Sequence, residues 1–364
     1  MEIISFYLPQ FHEIPENNDA WGHGFTEWTN VKKSRPLFAG HRQPRVPLHG
    51  NYYDLLDSGT LKWQTELAAA YGVDCFCFYH YWFHGRMVLE RPVEGLRCMP
   101  GLPIHYCFAW ANEPWTKTWH GAGGGKEILI AQDYGKEEEW EAHYQYFLPY
   151  FRDGRYLKKQ NRPVLLIYKL QNIPFCNDMI RYWKRRALEE GFAGIYLLCM
   201  KGGRNHVHKS RYVDGTVDFE PNNTKSARLE EAGKRLAPVD AKTLIRNRVA
   251  MKSIAYRAIN EEMLKTPHQA NEYRTVFADS DDTPRRGSRG VVTFGSSPEL
   301  FGRYLRRGLM AAQREGQELF FLNAWNEWGE GNYLEPDTKN GYGYLNAVRS
   351  AKSILGADAS GHSD

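Results

Sequence analysis

The chain has 364 residues, 42% hydrophobic and 25% charged, a globular composition that excludes a disordered polymer. Its 47 basic residues nearly balance its 43 acidic ones, and the net charge of +4 gives no electrostatic reason to expect nucleic acid as a partner. No apolar run is long enough to predict a membrane span, and the six cysteines contain no Cys-x-x-Cys pair of the zinc-ribbon or thioredoxin type.

Met1–Tyr7 enters a strand without a basic or apolar leader, and Ile3–Leu8 is the first predicted strand. With cysteines placed mostly in apolar runs, the expectation is a reduced, cytoplasmic protein. A long polar and aromatic connection follows, then a helix over Thr60–Tyr71 that Gly72 terminates. Val73–Tyr81 is nearly continuous in apolar residues, as a strand of a covered parallel sheet should be. Strands follow at Ile104–Trp110, Pro163–Leu170, Ile195–Met200 and Thr216–Glu220, with helices at Glu137–Phe151 and Asp178–Glu190 between them. Lys225–Lys265 reads as charged and helical. Arg274–Ala278 or Val291–Phe294 supplies a seventh strand, Pro298–Arg314 a helix, and Glu318–Ala324 the eighth strand. This alternation predicts an α/β fold, a (β/α)8 TIM barrel, as a single domain with long βα loops over residues 1–355 and a flexible tail over 356–364. A doubly wound dinucleotide fold is disfavoured: no Gly-x-Gly-x-x-Gly follows the first strand, and Gly121–Gly125 precedes no clear helix.

Barrel enzymes place their chemistry on the loops leaving the C-terminal strand ends. Here those loops gather aromatic residues with amides and carboxylates. Aromatic residues make up 14% of the chain, and their planes suit the C–H faces of pyranose rings. The expected substrate-binding set is Tyr7, Gln10, His12, Trp21, Glu27, Trp28, His80, Tyr81, Trp82, Trp110, Asn112, Glu113, Trp115, Trp325 and Asn326. Glu327 and Glu330, three residues apart in Trp325–Gly331, are the expected catalytic pair, because glycosidic cleavage needs one carboxyl to donate a proton and another to act as base or nucleophile. Glu113, in Asn112-Glu113-Pro114, is the rival for one of these roles. Neither metal nor cofactor is expected: His12, His80, His84 and His120 lack His-Glu-x-x-His spacing, and Asp279-Ser280-Asp281 reads as an accidental match to the Asp-x-Asp of nucleotide-sugar transferases.

Several longer pieces carry a resemblance. Tyr7-Leu8-Pro9-Gln10-Phe11-His12, Gly24–Val31, Phe78–Phe83, Trp110-Ala111-Asn112-Glu113, Thr283-Pro284-Arg285-Arg286, Asn323–Gly331 and Leu334-Glu335-Pro336-Asp337 resemble, in order and over essentially the whole chain, the WbsX-type, glycoside hydrolase family 99-like domain. The resemblance implies a (β/α)8 barrel, often encoded beside O-antigen and other surface-polysaccharide genes. It also implies retaining hydrolysis through a 1,2-anhydro sugar, with Glu327 deprotonating the 2-hydroxyl and Glu330 as general acid/base, as in the related endo-α-mannosidases and mannanases. Gly329 stands where those relatives often have His. Ser280-Asp281-Asp282 stands where the family commonly reads Trp-Asp-Asn, so contacts made there by Trp or Asn are not expected. The expected activity is hydrolysis of a glycosidic bond in a bacterial surface polysaccharide or oligosaccharide. The alternatives are a nucleotide-sugar glycosyltransferase of polysaccharide biosynthesis and a non-catalytic carbohydrate-binding protein.

Overall fold

The computed structural model describes residues 1–117, 127–203, 210–225 and 252–360. Parallel strands run β1 (Glu2–Tyr7), β2 (Cys75–Phe83), β3 (His105–Trp110), β4 (Arg162–Ile167), β5 (Tyr196–Lys201), β6 (Gly215–Asp218), β7 (Glu272–Tyr273 and Thr275–Phe277) and β8 (Leu319–Asn323). The break in β7 closes the ring. Its first piece pairs with β6 through Thr216–Glu272 and Val217–Tyr273, and its second pairs with β8 through Thr275–Phe321 and Phe277–Asn323. β8 in turn pairs with β1, from Glu2–Leu319 to Ser5–Leu322. The fold is therefore the expected (β/α)8 barrel, and Arg274–Ala278 is its seventh strand. Val291–Phe294 instead pairs with Lys252–Ala255 in a separate two-stranded sheet.

Around and above the barrel lie α1 (Pro15–Trp21), α2 (Glu27–Lys33), α3 (Ser58–Ala70), α4 (Arg91–Arg97), α5 (Glu137–Phe151), α6 (Cys176–Glu189), α7 (Tyr256–Lys265), α8 (Thr283–Arg286), α9 (Pro298–Arg314) and α10 (Gly343–Ser360). Asp57 caps α3 by accepting from the Gly59 amide at 2.9 Å, and Ser297 caps α9 by accepting from the Leu300 amide at 3.2 Å. α9 buries Phe301, Tyr304, Leu305, Gly308, Leu309 and Ala312, the i, i+3/i+4 stripe that faces the barrel. Gly308 permits that approach: a Cβ there would lie 3.1 Å from Phe320 and 3.2 Å from Val276. α10 extends into the stretch expected as a tail, of which 361–364 lie outside the described residues. Residues 226–251 of the expected helical segment, His120 and Gly121–Gly125 also lie outside them.

Strand parity decides which aromatic residues reach the barrel axis. Successive side chains alternate between the interior and the helix layer. On β2, Tyr79 stacks inward on Phe6, with centroids 5.9 Å apart, whereas His80 and Trp82 turn outward to His143 of α5. On β3, Phe108 and Trp110 likewise face the helices, meeting Phe147 and Trp183. Phe6 is fully buried and touches Tyr79, Phe219 and Phe321, so it forms the floor beneath the mouth of the barrel. Phe6→Ala should cost about 3–5 kcal/mol through lost burial and the cavity left behind. Urea unfolding should show a lower midpoint with an unchanged slope, and a loss below 1 kcal/mol would refute this account of the floor.

Candidate active site

A cleft of about 900 Å³ opens at the C-terminal ends of the strands. Leu8, Tyr79, Tyr81, Trp115, Tyr168 and Phe219 are among its apolar and aromatic wall residues. Glu113, Glu327, Glu330, Arg285, Arg286 and Arg289 supply its charge. Tyr81 meets Trp115 edge to face, with centroids 5.1 Å apart.

Arg285 holds the charged centre together. Its Nε donates to Glu27 at 2.8 Å, one terminal nitrogen to Glu327 at 2.8 Å, and the other to Glu330 at 2.6 Å. The three carboxylates come from separate pieces of chain. Glu27 begins α2, fixed by a capping box in which Thr26 and Thr29 exchange side-chain and backbone bonds. Glu327 follows β8 directly, and Glu330 closes the next turn. Gly329 is required by close approach: any Cβ there would overlap the Glu27 carboxylate and lie 2.9 Å from Arg285 Nε. Burial raises the Glu327 carboxyl to about 8 against the pull of Arg285, and the neighbouring Glu330 and Glu27 push it further up. Burial also raises Glu27, with Arg285 opposing. Burial would lower Arg285, but the three carboxylates outweigh it and hold the guanidinium firmly charged.

Two asparagines aim the cleft glutamates by standing in for peptide groups. Asn326 accepts from the Leu8 amide at 2.8 Å and donates to the Leu8 carbonyl at 3.0 Å, clipping the exit of β8 to that of β1. Asn112 does the same between β3 and β4, accepting from the Lys169 amide at 2.7 Å and donating to its carbonyl at 2.8 Å. Each is followed by a glutamate that lines the cleft, Glu327 and Glu113. Glu113 is ion-paired with Lys169.

The cleft thus brings together Tyr81, Glu113, Trp115, Glu327 and Glu330 of the residues expected from sequence. The others lie elsewhere. Glu27 is buried behind Arg285. Tyr7 donates to Gln64 at 2.6 Å, and Trp28 donates to the Tyr53 carbonyl at 2.8 Å. Gln10 and His12 are buried off the cleft, with burial lowering His12 to about 4. His80, Trp82 and Trp110 face the helix layer, and Trp325 packs on Phe76. Trp21 stacks on Phe25 at 4.8 Å and is not part of the lining. Asn112 and Asn326 are positioning residues, spent on the backbone. Arg285, Arg286, Arg289, Tyr79, Tyr168 and Phe219 line the cleft but were missed, although Thr283-Pro284-Arg285-Arg286 already marks the first two arginines.

The Asp279-Ser280-Asp281 segment is consumed internally. Asp279 pairs with Arg45 at 2.8 Å. Asp281 bonds His41 Nε2 at 2.9 Å, Gln43 at 2.7 Å and the Thr283 hydroxyl at 2.6 Å. Burial would raise Asp281, but His41 and Arg45 outweigh it and hold the carboxyl at about 2. This network anchors the loop that delivers α8 and Arg285. Among the described residues, no group of three or more His, Cys, Asp and Glu is arranged to hold a metal ion. No described helix is long and apolar enough to cross a membrane.

Two variants check this geometry. Arg285→Met removes the cation that lowers Glu327, so carboxyl ¹³C NMR should find Glu327 titrating above its wild-type value of about 8. An unchanged or lower value would refute the electrostatic account. Gly329→Ala should destabilise the fold by roughly 1–3 kcal/mol, because the methyl group must displace Glu27 or Arg285. A melting temperature equal to wild type would show that the contact is slack.

The family model described as glycosyltransferase WbsX matches residues 3–348. The protein WxcX of Xanthomonas campestris pv. campestris is 33% identical over 352 residues, covering 96% of this chain and 49% of WxcX, so the chain spans about half the length of that relative. Among solved structures, the family 99 endo-α-mannosidase of Bacteroides thetaiotaomicron has a TM-score of 0.59 at 13% identity, over 99% of this chain and 98% of that one. A glycoside hydrolase-like protein has a TM-score of 0.55 at 14% identity, over 96% of this chain and 93% of that one. These two share the barrel fold, and with the family pattern matched over nearly its whole length, the chain belongs to the WbsX glycosyltransferase family.

Proposed function

We propose that the chain is a retaining glycoside hydrolase acting on a bacterial surface polysaccharide or oligosaccharide. The observation that carries this reading is Arg285 joining Glu327 and Glu330 at the floor of an aromatic-walled cleft. Two carboxyl groups beside one open space are what glycosidic cleavage uses. Tyr79, Tyr81, Trp115 and Tyr168 offer ring faces and phenol groups for a sugar.

In the proposed reaction, Glu327 takes the proton of the 2-hydroxyl, whose oxygen attacks the anomeric carbon while Glu330 protonates the departing oxygen. Water then opens the anhydro sugar: Glu330 receives the water proton and Glu327 returns its own to the 2-oxygen. A carboxyl raised to about 8 is a stronger base than an ordinary glutamate, which suits removal of a hydroxyl proton. Glu330 is the more exposed of the two, with 34% side-chain accessibility against 7% for Glu327, and so can meet the leaving group and water.

The second reading, a nucleotide-sugar transferase, is favoured by the description attached to the family. Against it stands the engagement of Asp279 and Asp281 with Arg45, His41 and Gln43, which leaves that segment unsuited to a metal-bound diphosphate.

Incubation of the protein with surface polysaccharides in water, read by product mass and by proton NMR of the new anomeric centre, tests the proposal. Release of a reducing sugar with retained configuration is the expected result, and turnover only with a nucleotide sugar and acceptor would overturn it. Glu330→Gln should slow natural substrates by about 10²–10⁴-fold and activated aryl glycosides much less. Glu327→Gln should slow both alike. If Glu327 is the base, kcat/KM rises with pH towards about 8 as the carboxyl ionises. A fall through that range would make Glu327 the proton donor instead.

A further inference from the structure

Every carboxylate on the cleft lining has a cationic partner: Glu327 and Glu330 share Arg285, and Glu113 pairs with Lys169. The arginines are not matched in the same way. Arg289, in the turn Gly287–Arg289, has no acidic partner among the described residues. Arg286 reaches Asp282 with Nε at 3.3 Å, but its side chain is 63% exposed. Asp282 is itself engaged by the Val291 amide at 2.5 Å. Arg286 and Arg289 both belong to the cleft lining, with Glu330 and Tyr168. The turn keeps them there. Gly287 takes φ +55, which favours glycine, and no Cβ fits at Gly290, where Asp282 would lie at 2.8 Å and Thr283 at 3.0 Å.

We infer that the cleft accepts a sugar bearing an anionic substituent, a carboxylate or a phosphate, held by Arg286 and Arg289 beside the Glu327–Glu330 pair. This rests on the glycosidase reading of the cleft and narrows its substrate class to acidic glycans. A guanidinium presents a planar fork that matches two oxygens of either anion, and it stays charged at any working pH. A neutral sugar would leave Arg289 at the rim without a counter-charge among the described residues, and Arg286 with only its exposed contact to Asp282.

Calorimetric titration of the full chain tests the inference. The ligands are methyl glycosides of glucuronic, galacturonic and mannuronic acid, their neutral parents, the corresponding sugar 6-phosphates and UDP. An acidic glycoside should bind at least about tenfold more tightly than its neutral parent, and the preference should weaken with added salt. The carboxylate and phosphate arms tell the two substituents apart. In Arg286→Ala/Arg289→Ala, both exposed positions that should leave folding intact, the preference should fall below about twofold. Equal binding of acidic and neutral glycosides, or a preference that survives in the double variant, overturns the anionic subsite and leaves the glycosidase reading standing. Binding of UDP in place of every glycoside overturns both readings in favour of the transferase, and binding of none of these ligands overturns both outright.

Discussion

A buried guanidinium among three carboxylates is the constraint on which the rest of the site depends. Charges removed from water persist only when each has a partner of good geometry, and Arg285 meets that condition by spending its Nε and both terminal nitrogens on Glu27, Glu327 and Glu330. Burial raises the proton affinity of Glu327 and of Glu27 against the pull of Arg285, and the crowding of three carboxylates around one cation adds to it. Of the two that face the cleft, Glu327 is the more enclosed. The same enclosure makes its ionisation costly.

The supporting structure is built to deliver these groups to one point. α2 brings Glu27 from the first βα loop, β8 brings Glu327, and α8 brings Arg285 from the loop after β7. The Asp281 hub ties the loop around His41, Gln43 and Arg45 to the α8 segment. Beneath Trp328, Glu335 accepts from Trp328, Tyr53 and Gln64 at 2.6, 2.9 and 2.7 Å, so the turn carrying Glu327 and Glu330 rests on a closed polar network. At position 329 the Glu27–Arg285 pair fills the space that a side chain would need.

Much of the fold was legible because a barrel repeats a simple pattern. Apolar runs such as Val73–Tyr81 and the spacing of α9 show their elements directly, and the alternation of strand and helix fixes the architecture. The site was legible only in part, for two physical reasons. A run such as Tyr79-His80-Tyr81-Trp82 points its side chains alternately into the cleft and into the helices. Reading it as a cluster of binding residues ignores that alternation, although parity along β2 would have separated Tyr79 and Tyr81 from His80 and Trp82. The second reason is that Arg285 meets its partners across 258 and 42 residues of sequence, and no local pattern reveals such a contact.

The two asparagine clips show how the same barrel turns sequence neighbours into geometry. Asn112 and Asn326 each replace the ladder bonds that end where neighbouring strands diverge, and each holds the following residue at the rim. Glu113 and Glu327 therefore reach the cleft by the same device, yet their surroundings differ. Glu113 pairs with a lysine that is itself partly exposed, whereas Glu327 shares one buried arginine with two other carboxylates. The Glu113 pair is an exposed one-to-one contact. A buried carboxyl in an over-subscribed cluster can gain and lose a proton near neutral pH, so the distinction between Glu113 and Glu327 follows from their partners rather than from their shared Asn-Glu motif.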